Sequence, residues 1–287
     1  MVQITDLYIY PVKSLKGIAL KESHTGQRGF RYDREWMITD SSYHFISQRE
    51  IESMATLETG MSFNSLILRS NTNQFSVSLQ SEKLNKVRAA VWDDICDAYD
   101  EGDEVSNWLT EELGKYKGSS LRLVRFSADG ERSVPEEYLN GIKAQSAFSD
   151  QFPYLITSWE SLGELNKGLN DNNSKEVSMS RFRPNIVIQG VDDLEKMTAS
   201  DLSCGKGDYS FGLRKPCKRC KIVTINQDTG EIIEPKEPLA TLVKLKFSDA
   251  IKGAFFGQNA ILLSGNSAIR VGDELTISSA MTEKTAS

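Results

Sequence analysis

The segment Lys215-Pro216-Cys217-Lys218-Arg219-Cys220 has the most evident capacity for chemistry, with two thiols in C-x-x-C spacing among five cations, Arg214, Lys215, Lys218, Arg219 and Lys221. Nearby positive charge favours the thiolate, the form that attacks electrophiles and binds soft metals. Four uses fit: a single thiolate metal ligand, a zinc half-site, a thioredoxin-like dithiol and a structural pair. Zinc needs further ligands, and Cys96 and Cys204 lack a second C-x-x-C spacing. A thioredoxin-like pair opens a helix, whereas Lys221 to Ile225 reads as a strand following the pair.

Oxyanion binding is the second chemistry suggested. In Arg34-Glu35-Trp36-Met37-Ile38, strand alternation puts Arg34 on one face with Trp36 and Ile38, a face that should be buried. In Phe182-Arg183-Pro184-Asn185-Ile186-Val187-Ile188, Arg183 and Asn185 share a face with Val187. A buried guanidinium needs an acidic partner, either a carboxylate of this chain or a phosphate held bidentately. Lys13-Ser14 adds an ammonium and a hydroxyl on a turn after a strand ending at Pro11, with Gly17 allowing close backbone approach. Neither G-x-G-x-x-G nor G-x-x-x-x-G-K-[ST] occurs, which argues against nucleotide cofactors held by those loops.

Other classes fall away on composition. Two histidines, His24 and His44, do not make a multi-histidine metal centre or a histidine-based triad. Four cysteines in 287 residues are too sparse for a disulfide framework. The balance of 34 basic against 40 acidic residues, net −6, argues against nucleic acid as the main partner and against an anionic membrane surface. No apolar run approaches the roughly 18 residues of a membrane span, and the start lacks a basic region followed by an apolar stretch, so a cytoplasmic protein is expected.

The elements that must position these groups are mostly strands. Short β-type segments fill the first ninety residues: Leu7 to Tyr10, Arg34 to Ile38, Ser65 to Leu68 and Gln74 to Leu79. Val105, Trp108, Leu109 and Leu113 predict a helix after Asp103 that stops at Gly114. Ser127 to Gln145 reads as an irregular connection. Thr157 and Glu160 predict a capping box for a second helix, with Gly168 as its stop. Strands are then expected at Asn185 to Ile188, Ser210 to Leu213, Lys221 to Ile225, Ala260 to Leu263 and Ile269 to Ile277, with turns at Asp228-Thr229-Gly230 and Val271-Gly272-Asp273. The expected fold is mainly β with a few helices, in two domains divided near residue 120, and it favours barrels or sandwiches over a doubly wound sheet.

These motifs, in this order, resemble the MOSC proteins (molybdenum cofactor sulfurase C-terminal domain), and among them the members with an N-terminal β-barrel domain, such as the mitochondrial amidoxime-reducing components. The resemblance rests on Tyr10-Pro11-Val12-Lys13-Ser14-Leu15-Lys16-Gly17, Asp33-Arg34-Glu35-Trp36, Phe148-Ser149-Asp150-Gln151-Phe152-Pro153, Phe182-Arg183-Pro184-Asn185-Ile186-Val187 and Cys217-Lys218-Arg219-Cys220. Asp228-Thr229-Gly230, Glu237-Pro238-Leu239 and Val271-Gly272-Asp273 follow. It implies an N-terminal β-barrel domain over 1–120, a C-terminal MOSC β-barrel domain over 121–280 and a flexible tail over 281–287.

It further implies molybdenum-molybdopterin as the cofactor, with no expectation of pyridoxal phosphate. Cys220 would be the metal ligand, and Lys13, Ser14, Arg34, Ser149, Asp150, Arg183, Asn185, Lys218 and Arg219 would contact the pterin, with Asp150 also orienting ligands or protons. Lys218 stands where relatives more often carry a small hydroxyl residue, and Gln151 where a hydroxyl can occur. The implied activity is reduction of N-hydroxylated compounds: amidoximes, hydroxylamines and N-hydroxylated bases. A carrier of molybdenum cofactor or its sulfur is the alternative. The chain shows no flavin or nicotinamide fingerprint, no cysteine-rich ferredoxin segment and no evident mitochondrial anchor. A separate ferredoxin-like protein or flavin reductase is therefore expected to deliver electrons.

Overall fold

A computed structural model describes residues 1–80, 84–206, 208–247, 252–265 and 267–279. The tail expected over 281–287 lies outside the described residues. The first part of the chain forms β1 (Val2–Ile9), β2 (Ile18–Leu20), β3 (Glu22–His24), β4 (Trp36–Thr39), β5 (Glu58–Met61), β6 (Ser65–Arg69), β7 (Gln74–Ser78), β8 (Asn85–Val91), β9 (Asp94–Asp100), α1 (Asp103–Leu113) and β10 (Arg122–Phe126). Then come β11 (Tyr154–Ser158), α2 (Trp159–Asp171), β12 (Ile186–Gln189), β13 (Ser200–Cys204), β14 (Tyr209–Lys218), α3 (Leu239–Leu245), β15 (Phe255–Ser264), β16 (Ala268–Arg270) and β17 (Glu274–Ser279). The protein is mainly β, as its strand-like segments and turn signals predict.

Seven strands close a barrel in the order β12-β11-β15-β14-β13-β17-β1, because β1 pairs with β17 on one side and β12 on the other. Only β11 and β12 run parallel, and α2 provides the crossover that a parallel pair requires. In β1 the apolar residues Val2, Ile4, Leu7 and Ile9 break strict alternation. A bulge between Ile4 and Asp6 absorbs the extra residue, so all four reach the barrel core beside Tyr154, Ile156, Phe211 and Leu213.

The four-stranded sheet β4-β10-β9-β8 is covered on both faces. Trp36, Ile38 and Leu123 share a core with Val105 and Leu109 of α1 and with Leu66 and Leu68 of the β5-β6-β7 sheet. Met37, Val124 and Phe126 pack on the other side with Ala89, Ala98 and Phe148. Phe148 thereby anchors the segment leading to Asp150 on this sheet.

Local structure departs from expectation where short polar and apolar runs are ambiguous. Helix α1 ends at Gly114 (φ 81°) as predicted. Helix α2, however, is capped by Ser158, whose hydroxyl accepts from the Ser161 amide at 3.1 Å. Thr157 is still inside parallel strand β11, its hydroxyl turned to Met179 Sδ at 3.3 Å. The helix runs through Gly168 because that glycine is a contact and not a stop: a Cβ there would lie 3.0 Å from Thr241 of α3. Lys221 to Ile225 is not a strand, since Lys221–Thr224 forms a tight 3-10 turn. Arg181 Nη1 donates to the carbonyls of Val223 and Thr224, fixing this turn from outside the segment. The run Ile269 to Ile277 divides into β16 and β17 around the expected turn.

Candidate functional site

Cys217 and Cys220 reach the surface through an irregular strand end. β14 pairs with β15 with register shifts between Leu213 and Lys215 and between Pro216 and Lys218, and these bulges turn the chain out of the barrel. Cys217 lies inside β14, while Cys220 is the residue preceding the 3-10 turn. Both thiols are free and half-buried. Arg219 serves the first, its Nη1 standing 2.9 Å from Cys217 Sγ. Cys220 has a guanidinium from the other half of the chain, with Arg49 Nη2 at 3.4 Å from its sulfur.

Arg34 and Arg183 also occupy turns and not strand faces. Both have left-handed backbone, φ 51° and 55°, and Arg183 closes the short helical turn Met179–Phe182. Their guanidiniums each lie 4.3 Å from the Tyr10 ring centroid. Gly17 makes room for that ring, because a Cβ there would come within 2.5 Å of Tyr10 Cε1. The close approach permitted by Gly17 is therefore to the tyrosine under the two arginines.

The two arginines are satisfied differently. Arg34 donates to Asp33 Oδ2 at 2.5 Å, Asn185 Oδ1 at 2.9 Å and the Arg183 carbonyl at 3.0 Å. Asn185 is buried, and its amide is engaged by Arg34, the Leu155 amide and the Tyr8 carbonyl. Arg34 and Asn185 thus brace the site. Arg183 Nη2, by contrast, is buried without a hydrogen-bond partner, as is Arg219 Nε. Burial lowers the Arg183 pKa to about 10, which leaves it charged at neutral pH.

Lys13 and Asp150 meet across the two halves of the chain, Nζ to Oδ1 at 2.6 Å, with Nζ also donating to the Phe148 carbonyl at 2.8 Å. Burial pulls the Lys13 ammonium below the usual lysine value, and Asp150 opposes that shift. For Asp150, burial works against ionisation, yet Lys13, Arg49 and the Trp92 hydrogen bond outweigh it and hold the carboxyl below the usual range. Its side chain is 66% exposed, so solvent screens these interactions and moderates the shift. Ser149 donates to the Phe152 carbonyl at 2.8 Å, and its own carbonyl accepts from Arg132.

These groups line one open cleft. Lys13, Ser14, Arg34, Ser149, Asp150, Arg183, Asn185, Lys218, Arg219 and Cys220 all border it. The cleft also contains Ser47, Arg49, Gln151 and Cys217. Arg49 escapes sequence reasoning because it sits in a polar run, Ser47-Gln48-Arg49-Glu50, without strand or helix periodicity. Buried Gln48 shows the same limit: it donates to the Ser14 carbonyl at 2.7 Å and exchanges hydrogen bonds with Gln227, tying the Lys13-Ser14 turn to the segment after Cys220.

The donor set fits a metal that arrives with its own chelate. Among the described residues no three His, Cys, Asp or Glu side chains gather as a metal site, which leaves the zinc half-site incomplete. The cleft instead offers a thiol next to cations, two of them with unpaired buried N–H groups, as an anionic chelate would require.

Residues 1–116 match the MOSC N-terminal beta barrel domain, and residues 143–276 match the MOSC domain. The bovine (Bos taurus) mitochondrial amidoxime reducing component 2 is 30% identical over 256 residues, covering 86% of this chain and 73% of that protein. The chain belongs to the MOSC family. The human (Homo sapiens) mitochondrial amidoxime-reducing component 1 is 29% identical to this MOSC chain over 283 residues, 94% of the chain and 81% of the relative. The molybdenum cofactor sulfurase of Drosophila pseudoobscura pseudoobscura is 30% identical over 264 residues, and the MOSC chain spans 31% of that longer protein. No helix among the described residues is long and apolar enough to cross a membrane.

Proposed function

We propose that this MOSC protein is a cytoplasmic, molybdenum-molybdopterin-dependent reductase of N-hydroxylated compounds, namely amidoximes, hydroxylamines and N-hydroxylated bases. The observation that carries the reading is the meeting of Cys220 with Arg183 and Arg219, whose buried unpaired N–H groups suit an anionic pterin. The overall change is N–OH plus two electrons and two protons to N–H plus water. The molybdenum-pterin group, when bound, supplies the two-electron oxygen-transfer chemistry.

The chain's own residues hold and orient. Cys220 supplies the protein thiolate, and Arg183, Arg219, Lys218 and Lys13 attract the pterin phosphate. Arg34 and Asn185 keep the Arg183 backbone in register through their mutual hydrogen bonds. Asp150 remains ionised at neutral pH, so it acts as a hydrogen-bond acceptor that orients Lys13 and Trp92 and does not store a proton. Electrons come from a separate ferredoxin-like protein or flavin reductase. The second reading, a carrier of molybdenum cofactor or its sulfur, draws on the likeness to cofactor sulfurases.

Protein made in a host that synthesises the cofactor should contain equimolar molybdenum and pterin and should reduce benzamidoxime with a chemical reductant. Stoichiometric zinc without pterin would refute both readings. A cofactor-loaded protein without turnover would favour the carrier.

A further inference from the structure

Trp92 stands in a position where tryptophan is costly. It is in the tight turn between β8 and β9, next to the Val91–Asp94 pair, with φ 55°. Asparagine, aspartate and glycine occupy such turn positions at low cost, and a bulky residue there is an outlier. The indole is held on several sides. Its Nε1 donates to Asp150 Oδ1 at 3.2 Å, the Arg49 guanidinium lies 4.6 Å from the ring centroid, and Phe45 packs at 4.9 Å. Arg49 and Asp150 both border the cleft, and Arg49 contacts Cys220 Sγ. A fixed aromatic ring, 47% exposed, thus stands against two residues that border the cleft, with Arg49 between it and the Cys220 thiol.

We propose that Trp92 is the specificity-determining platform for substrate, selecting N-hydroxylated compounds whose N–O nitrogen is attached to a flat conjugated group. The proposal rests on the reductase reading and narrows its substrate class. Aromatic amidoximes and N-hydroxylated nucleobases present a π-face that stacks on indole, whereas saturated hydroxylamines do not. Asp150 and Arg49 keep the ring from turning, so the ordering cost is met before substrate arrives.

The test compares kcat and KM of the cofactor-loaded protein for benzamidoxime and N-cyclohexylhydroxylamine, with a chemical reductant and molybdenum content measured for each variant. Trp92→Ala should raise KM for benzamidoxime about tenfold while moving that for the saturated substrate less than about twofold, the range that stacking on one aromatic side chain provides. Trp92→Phe should recover most of the loss. Trp159→Phe changes an exposed indole bonded to Thr5 and Asp6, outside the cleft, and should alter neither KM. Equal shifts for both substrates, or no shift for either, in an active protein would overturn the platform alone. A wild-type protein that carries the cofactor yet reduces neither substrate would overturn the reductase reading and the platform with it.

Discussion

Asp33→Asn tests the brace beneath the cleft with a change of one atom type. Asp33 is 4% exposed and accepts two hydrogen bonds, from the Tyr10 amide at 2.8 Å and from Arg34 Nη1 at 2.5 Å. Asparagine keeps the shape but offers one carbonyl oxygen and one NH2, so either the Tyr10 amide or the Arg34 guanidinium then faces a donor. Breaking one partner of a buried ion pair costs about 3–5 kcal/mol. Arg34 retains two neutral acceptors, Asn185 Oδ1 and the Arg183 carbonyl, which places the expected loss near the lower end, about 3 kcal/mol. At about 2–4 °C per kcal/mol for a large chain, Tm should fall by about 6–12 °C. Calorimetry on Asp33→Asn, Arg34→Met and the double variant should show the double costing less than the sum of the singles by more than about 1 kcal/mol. Pterin retention should fall in both single variants. A Tm within about 2 °C of wild type, together with additive effects, would refute the brace.

The neighbouring cysteines should separate cleanly. Cys220→Ser should abolish reduction of an amidoxime and change the molybdenum spectrum, since a hydroxyl poorly replaces a thiolate, while Cys217→Ser keeps the metal and much of the activity. Equal, complete loss in both with metal retained would favour a dithiol mechanism. The isolated chain should not sustain turnover from NADH or NADPH, and steady oxidation of either would overturn the need for a separate electron donor. Asp100 gives a pH signature: burial opposes its charge, but Arg122, the Gly102 amide and Tyr43 outweigh this and lower its pKa. The stabilisation from a lowered carboxyl is complete above the unfolded value of about 3.9 and is lost as pH falls through the folded value. The stability gap between wild type and Arg122→Lys should therefore shrink as pH drops from about 5 towards 2, and a constant gap in chemical denaturation would contradict the assignment.

The linear motifs were legible because each encodes a local need. Arg34, Phe182, Arg183, Asn185 and the run Cys217-Lys218-Arg219-Cys220 all border one cleft. The backbone that brings them there was less legible. Strand alternation predicts a face for Arg34 and Arg183, but both sit in left-handed turns, a conformation that hydrophobic periodicity does not encode. Lys221 to Ile225 resembles a strand because it is a short run with three β-branched apolar residues, yet the segment is a single turn held by Arg181, about forty residues away in sequence. Arg49, Gln48 and Trp92 act through partners in distant segments, so nothing in their immediate neighbours marks them.

Strand β1 carries a consequence for the order of assembly. It is the stave between β12 and β17, with Gln3 opposite Gln189 and Val2 opposite Leu275, so the barrel cannot close until almost the whole described chain has been made. Pairings of such long sequence separation form slowly. Without β1, two neighbouring strands would present raw edges to other molecules. Lys13 and Ser14 follow directly from this stave, and Tyr10, which supports both arginines, is the residue after its last. The cleft is thus completed by the same event that seals the barrel. On the proposed reading, cofactor retention reports on finished folding: a chain with an open barrel has Cys220 beside Lys218 and Arg219 but has not yet brought up Lys13 and the Tyr10 ring that supports Arg34 and Arg183.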